Sequence, residues 1–207
     1  MSDSDTSESS EFPRPPLLVP VPRPFWSEYL DEPFATCVDC GEPLEDSPVH
    51  VIQKRFVAGE AVFEMAICEN CRQSLVSEYS VETRQNIENY LAADGQLTSR
   101  ISEISPDVLN DVTALLRHCM DQCVVCQTPR DKCHKYTLAG GGCHFDLIVQ
   151  ISPQGQTPVM ICDKCESGLQ DLISAQTRDR WNRFIDENFD GPPGMEVDSP
   201  WSHPVAF

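Results

Sequence analysis

Four Cys-x-x-Cys pairs set the chemistry open to this chain: Cys37/Cys40, Cys68/Cys71, Cys123/Cys126 and Cys162/Cys165. Two thiols three positions apart can grip one ion from a tight turn or from the first turn of a helix. Four thiolates complete a tetrahedral shell with no open position. The rival readings are eight reduced structural cysteines or a redox dithiol. A redox dithiol needs one such pair after a strand in a βαβ setting, whereas here four pairs stand at matched spacings.

The surroundings of the pairs repeat. Ile67-Cys-Glu-Asn-Cys-Arg-Gln-Ser-Leu75 is echoed by Ile161-Cys-Asp-Lys-Cys-Glu-Ser-Gly-Leu169. Downstream, Ser80, Thr83, Arg84, Ile87 and Tyr90 stand where Ser174, Thr177, Arg178, Trp181 and Phe184 stand in the second copy. The chain therefore reads as two divergent copies of one small unit. Local grouping of ligands gives Cys37, Cys40, Cys68 and Cys71 to one structural Zn²⁺ and Cys123, Cys126, Cys162 and Cys165 to another. An exchange of pairs between the copies stays open, although the local arrangement closes shorter loops.

Each pair needs an element to hold it. Gly41, directly after Cys40, suits the positive φ of a knuckle turn. Val49–Val57 and Ala61–Ile67 are β-prone runs flanking Ala58-Gly59-Glu60 and read as a hairpin. After Cys71 the apolar spacing of Leu75, Tyr79, Ile87, Tyr90 and Leu91 turns helical as far as about Ala93, before Gly95. The second copy repeats the scheme with a longer middle. Its strands fall near Lys135–Leu138 and Cys143–Ile151, with a third run at Val159–Ile161, and a helix then passes through Leu169, Leu172, Ile173, Trp181, Phe184 and Ile185. Between the copies, Ser105-Pro106-Asp107 is a helix start, and Val108, Leu109, Val112, Leu115, Leu116 and Cys119 share a face.

The order knuckle, hairpin, Cys-x-x-Cys, helix resembles the treble-clef class of zinc-binding modules over residues 35–94 and 121–190; a zinc ribbon is the nearest alternative. The resemblance implies an α+β fold of two zinc-stabilised units. Unpaired N–H groups at each helix start should help keep the second pair of sulfurs ionised. The expected divisions are a disordered acidic and Pro-rich tail at 1–24, a first zinc unit with an N-terminal arm at 25–94, a helical linker at 95–120, a second zinc unit at 121–190 and a flexible tail at 191–207.

With 207 residues and a formal charge of −18, nucleic-acid binding is disfavoured, because phosphate neutralisation needs Lys and Arg. The charge is uneven: residues 37–94 carry eleven acids and four bases, residues 123–190 nine and seven. A nucleic-acid-associated regulator would have to use Lys132, Lys135, Lys164, Arg178, Arg180 and Arg183. The first residues are acidic, with no basic start or apolar leader, and no apolar run approaches membrane length. A cytoplasmic protein with reduced thiols and a protein partner is expected, with no membrane association.

Other candidate groups have plainer readings. Cys119, Cys133 and Cys143 suit buried packing, with a zinc-thiolate redox sensor as the sharper alternative. His50 and His134 stand at nearly matching places, and with His144 suit strand-surface or supporting roles rather than ligation. Gly140-Gly141-Gly142 reads as a turn or bulge, because no Lys-Ser/Thr follows as in a phosphate loop. His144 and Asp146 share a strand face without a nucleophile, so no catalytic residue is assigned. Arg84 and Arg178 read as helix braces. Phe25–Leu30 either packs on the first unit or, with residues 12–24, serves as an interaction arm, the C-terminal tail with Trp201 and Phe207 coming second. The expected function is a non-catalytic zinc-dependent interaction or regulatory module.

Overall fold

The computed structural model describes residues 15–92, 104–152 and 155–189. The calls on residues 1–14 and 191–207, and on the linker between 93 and 103, lie outside that set. Strands β1 (Leu17–Pro20), β2 (His50–Val57), β3 (Glu60–Cys68), β4 (Lys135–Cys143), β5 (Asp146–Ser152), β6 (Gly155–Thr157) and β7 (Val159–Cys162) form a seven-stranded sheet in the order β1-β5-β4-β2-β3, with β6 on β5 and β7 on β4. The helices are α1 (Glu69–Ser77), α2 (Val81–Ala92), α3 (Pro106–Asn110), α4 (Val112–Met120), α5 (Asp163–Gln170) and α6 (Ala175–Asn188).

The β2–β3 hairpin turns through Ala58 and Gly59, both at positive φ (52° and 87°), as a two-residue turn matched to strand twist requires. Its partner across the molecule is β4. The antiparallel β2–β4 register sets Gln53 against Ala139, residues as far apart in sequence as Cys37 and Cys123. Equivalent positions therefore face each other at the centre of the sheet, and the halves meet around a local twofold axis. One buried core contains Phe56, Phe63 and Leu75 from the first half together with Leu138, Trp181 and Phe184 from the second.

The long helices expected after each second cysteine pair are broken. α1 gives way to α2 across Glu78–Ser80, and α5 to α6 between Asp171 and Ser174. Ser80 and Ser174 cap the new starts, their hydroxyls accepting from Thr83 N (3.0 Å) and Thr177 N (3.3 Å). At the axis these caps interlock. Ser80 Oγ lies 2.8 Å from Ser174 Oγ, Ser80 N donates to Thr177 Oγ1 (3.0 Å), and Ser174 N donates to Thr83 Oγ1 (2.9 Å). Thr83 and Thr177 are fully buried. The matched hydroxyls of the sequence are thus a contact between the halves.

Three other expectations are corrected. The helix from Ser105 stops at Asn110, because Asp111 caps a fresh helix through Thr113 N (2.9 Å) and Ala114 N (3.3 Å). Gly140–Gly142 is neither turn nor bulge but runs inside β4. It is small because its neighbours are large: a Cβ on Gly142 would fall 2.1 Å from His50 Nε2, and one on Gly140 would meet Leu147 at 2.9 Å and Phe25 at 3.2 Å. Residues 17–20, placed by composition in a disordered tail, pair with β5 from Leu17↔Val149 to Pro20↔Asp146. Proline is tolerated at this edge because an edge strand leaves outward N–H positions unused. Val21 and the fully buried Phe25 then anchor the arm, with Trp26 Nε1 donating to Val21 O (2.7 Å). Packing, rather than a free arm, is what the structure shows for Phe25.

Candidate metal centres

Each cluster is assembled by the same local hydrogen bonds. In the first, Cys37 N donates to Glu42 O (2.9 Å) and Gly41 N to Cys37 O (2.9 Å), closing the knuckle around Gly41 at φ 73°. In the second, Cys123 N donates to Thr128 O (2.9 Å) and Gln127 N to Cys123 O (2.8 Å), with Gln127 at φ 60°. The expected glycine is therefore replaced by a residue that adopts the same left-handed conformation at some cost. Val38 N to Ala66 O (2.9 Å) and Val124 N to Met160 O (2.8 Å) dock each knuckle on the strand that delivers the second pair. Cys68 N and Cys162 N then point at Cys37 Sγ (3.3 Å) and Cys123 Sγ (3.4 Å).

The outcome is two groups, Cys37, Cys40, Cys68 and Cys71, and Cys123, Cys126, Cys162 and Cys165, whose sulfurs lie within 4.8 Å of one another in each group. Cys40 and Cys68 sulfurs are 3.9 Å apart, Cys126 and Cys162 sulfurs 3.6 Å. Grouping is local rather than exchanged between halves. Among the described residues no histidine or carboxylate joins either group. Sulfurs each about 2.3 Å from a tetrahedral Zn²⁺ sit within about 4 Å of one another, so this donor set fits a metal dication.

Electrostatics argue the same way. Desolvation raises Cys126, yet the hydroxyl and amide of Thr128 outweigh it and hold the thiol at about 6. Cys37 is also lowered, by N–H groups of Cys40, Cys68 and Asp39 acting against burial. Cys71 and Cys165 go strongly upward through desolvation and neighbouring sulfurs, and burial first, then Cys123, pushes Cys162 to about 11. The helix-start N–H groups were expected to keep the second pair ionised, but for Cys71 and Cys165 desolvation, followed by neighbouring acidic groups, outweighs them. One thiol per knuckle, Cys37 or Cys126, is lowered, whereas Cys40, Cys71, Cys162 and Cys165 are raised, and a dication supplies the charge that relieves this.

No protein-family model, curated protein or solved structure matches the chain.

The later helix of each half reaches into the other half. Tyr90 of α2, in the first half, is raised by burial and then by the four sulfurs of the second cluster, and its hydroxyl would lie 3.0 Å from a Cβ on Gly168 of α5. Gly168 makes room for it. In return, Asn188 at the end of α6 donates to Asp39 of the first knuckle (3.4 Å), and the ring of Phe189 packs at a tilt of 46° against Phe63 of β3 (5.0 Å between centroids). Tyr90 was visible only as a matched helical position; nothing in its spacing indicated that it would face the other half.

The remaining candidates disperse. Cys119 is fully buried and desolvation pushes it to about 12, the behaviour of a packing group. Cys133 Sγ donates to Pro129 O (3.4 Å), and Cys143 pairs with Asp146 at the β4–β5 turn. His50 lies inside β2 whereas His134 precedes β4 and offers its carbonyl to Ala58 N (2.8 Å), so the two do not correspond. His50 is buried with Nδ1 unbonded; desolvation, then His144, depress it to about 4. Of the basic candidates, Arg180 lies 2.9 Å from Glu78 and Arg178 donates to Ile173 O (3.5 Å), which ties both into the helix contacts. No helix is long and apolar enough to cross a membrane among the described residues.

Two neighbouring cations of β2, each with two carboxylate partners, brace the sheet from opposite faces. Lys54, wholly buried on β2, meets Glu28 (2.9 Å), Glu64 (3.3 Å) and the Trp26 carbonyl. Its neighbour Arg55 points the other way, toward Glu166 (3.6 Å) and Asp163 (3.8 Å) of α5, and Thr137 donates to Glu166 (3.2 Å).

Proposed function

We propose that the chain is a non-catalytic zinc-binding protein whose two structural centres, each in a treble-clef-like setting, hold a surface used for protein interaction or regulation. The observation that carries this reading is the pair of closed four-sulfur groups, with all sulfurs of each inside 4.8 Å. Four thiolates around one Zn²⁺ leave no position for a substrate or an activated water, so such a centre stabilises rather than reacts. The ions would be held by Cys37, Cys40, Cys68 and Cys71, and by Cys123, Cys126, Cys162 and Cys165. Their contribution when bound is to neutralise crowded sulfurs that the polypeptide alone keeps partly protonated. The cross-packing of α2 and α6 would carry that stabilisation from each centre into the opposite half, and so give one rigid body from two small ones.

Elemental analysis of the purified protein tests the reading, with two zinc ions per chain expected. Cobalt substitution should give the intense thiolate-to-metal absorption and tetrahedral d–d bands of a four-sulfur site at both positions. Iron in place of zinc, or a cobalt spectrum of a site with bound water, would overturn the structural assignment.

A further inference from the structure

The segment Ser27-Glu-Tyr-Leu-Asp-Glu32 is held far more firmly than a surface loop requires. Ser27 and Glu32 form an isolated bridge, with Ser27 N donating to Glu32 O (2.9 Å) and Asp31 N to Ser27 O (3.0 Å). One carboxylate, Glu64 of β3, accepts from the Ser27 hydroxyl (2.7 Å), from Glu28 N (2.9 Å) and from Tyr29 N (3.5 Å). Beneath it the buried Lys54 joins Glu28, Glu64 and the Trp26 carbonyl. Arg23 adds an ion pair to Asp31 while lying over the Trp26 ring, and Asp31 takes φ 59°. This support ends in two side chains left open to solvent: Tyr29 is 92% exposed and buries almost nothing, and Leu30 is half exposed at 51%. Val62, the bulged residue of β3, is also exposed two positions from Glu64.

We infer that this acidic loop is a docking element, presenting Tyr29 and Leu30 to a protein surface that offers an apolar pocket ringed by Lys and Arg. The assignment rests on the interaction reading above and gives it a place and a partner chemistry. Charge selects the partner. In and beneath the loop stand Glu28, Asp31, Glu32 and Glu64, against Arg23 and Lys54, of which Lys54 is wholly buried. An acidic surface steers a basic one to it and repels acidic competitors. Tyrosine is the residue type that most often anchors such contacts, since it brings large area with few rotatable bonds. Because the loop backbone is already fixed, binding has to order only the exposed side chains, unlike a disordered segment that must fold on its partner.

The test uses the zinc-loaded full chain as bait for a phage-displayed random dodecapeptide library. Enriched peptides should be rich in Lys and Arg around an aromatic or aliphatic residue. Their affinity should fall at least about tenfold in a Tyr29→Ala/Leu30→Ala variant whose zinc content and melting are unchanged, and less steeply in Glu32→Lys. Glu64→Ala, which frees the loop while leaving Tyr29 and Leu30 in place, should also weaken binding. Enriched basic peptides that bind the Tyr29/Leu30 variant as tightly as the parent would overturn the docking element but leave the interaction reading standing. Neutral or acidic consensus peptides would overturn the charge argument and with it the proposal. No enrichment at all would count against both.

Discussion

The two cysteine clusters share their hydrogen-bonding scheme but not their surroundings. In the second, Cys123, Cys162 and Cys165 are buried; in the first, only Cys37 is, and Cys68 and Cys71 are partly open. The first lies in the half with eleven acids to four bases, the second in the half with nine to seven. What a Cys-x-x-Cys knuckle dictates is the turn and the aim of its N–H groups. How far solvent is excluded depends on what the opposite half lays over it, and Tyr90 approaching Gly168 lies close over the second cluster. Similar local sequence can thus give two sites of different solvent exposure.

The largest effect should come from removing one centre. Cys68→Ser with Cys71→Ser deletes a site whose apparent binding energy is on the order of 10 kcal/mol. Since β2 pairs with β4 and α2 packs beside the second cluster, we expect loss of cooperative melting for the whole chain and weakened zinc retention at the second site. A variant that kept one tightly held zinc and an intact second half by NMR would show the halves to be independent after all. In the parent, a chelator with a chromogenic readout should draw zinc in two phases, the first from the more open Cys37/Cys40/Cys68/Cys71 centre. Assignment of the fast phase to the second centre would break the exposure argument.

Next in size is the buried cation of the first half. Lys54→Met leaves Glu64, 20% exposed, and the half-exposed Glu28 without their counter-charge; water reaching both carboxylates should hold the cost below the ~3–5 kcal/mol of a fully buried pair. Urea unfolding should show it, and the additional change Glu64→Gln should recover part of the loss. Equal stability of Lys54→Met and the parent would mean that Val21, Phe25 and the β1–β5 pairing hold the arm without help from Lys54.

The clusters and the elements bearing them were legible in the sequence because ligand spacing, knuckle turns and strand-to-helix transitions are local properties. What stayed hidden was reciprocal. Ser80, Thr83, Ser174 and Thr177 were visible as matched residues, yet only the antiparallel approach of β2 to β4 reveals that matched residues touch. Lys54 looked like an ordinary strand lysine, since its partners lie 26 positions before it and 10 after, Glu28 and Glu64. The triple glycine was misread for the same reason: alternation in a strand cannot show that His50 fills the space where a side chain at Gly142 would be. The arm at 17–25 was hidden by its prolines, which argue against a central strand but not against an edge.

That last packing pair gives a third, smaller test. Gly142→Ala should cost about 1–3 kcal/mol by overpacking, and His50→Ala should relieve most of it in the double variant. His50 also carries a pH signature. Its pKa is depressed from 6.5 to about 4 in the folded protein, so the unfolded chain binds more protons between those values, and the stability present above pH 6.5 declines as pH falls toward 4. From pH 7 to pH 5 the decline assigned to this group is about 2 kcal/mol. Thiolate protonation acts alike on parent and His50→Ala, so the difference between their pH–stability curves isolates it. Parallel curves would remove His50 from the account.

The smallest effect reads the axis itself. Ser80 and Ser174 each cap one helix and share a bond with each other. Replacing either by Ala should cost about 1 kcal/mol, the usual worth of a cap. If the contact is reciprocal, the two single variants lose similar stability in urea, and the double variant loses less than their sum, because the shared Ser80–Ser174 bond is removed only once. The unlike burial of the two clusters should leave this balance untouched, since the hydroxyls meet at the axis and not at either metal site. A large loss for Ser174→Ala beside none for Ser80→Ala would instead mean that the second half folds on its own terms and the first merely leans on it.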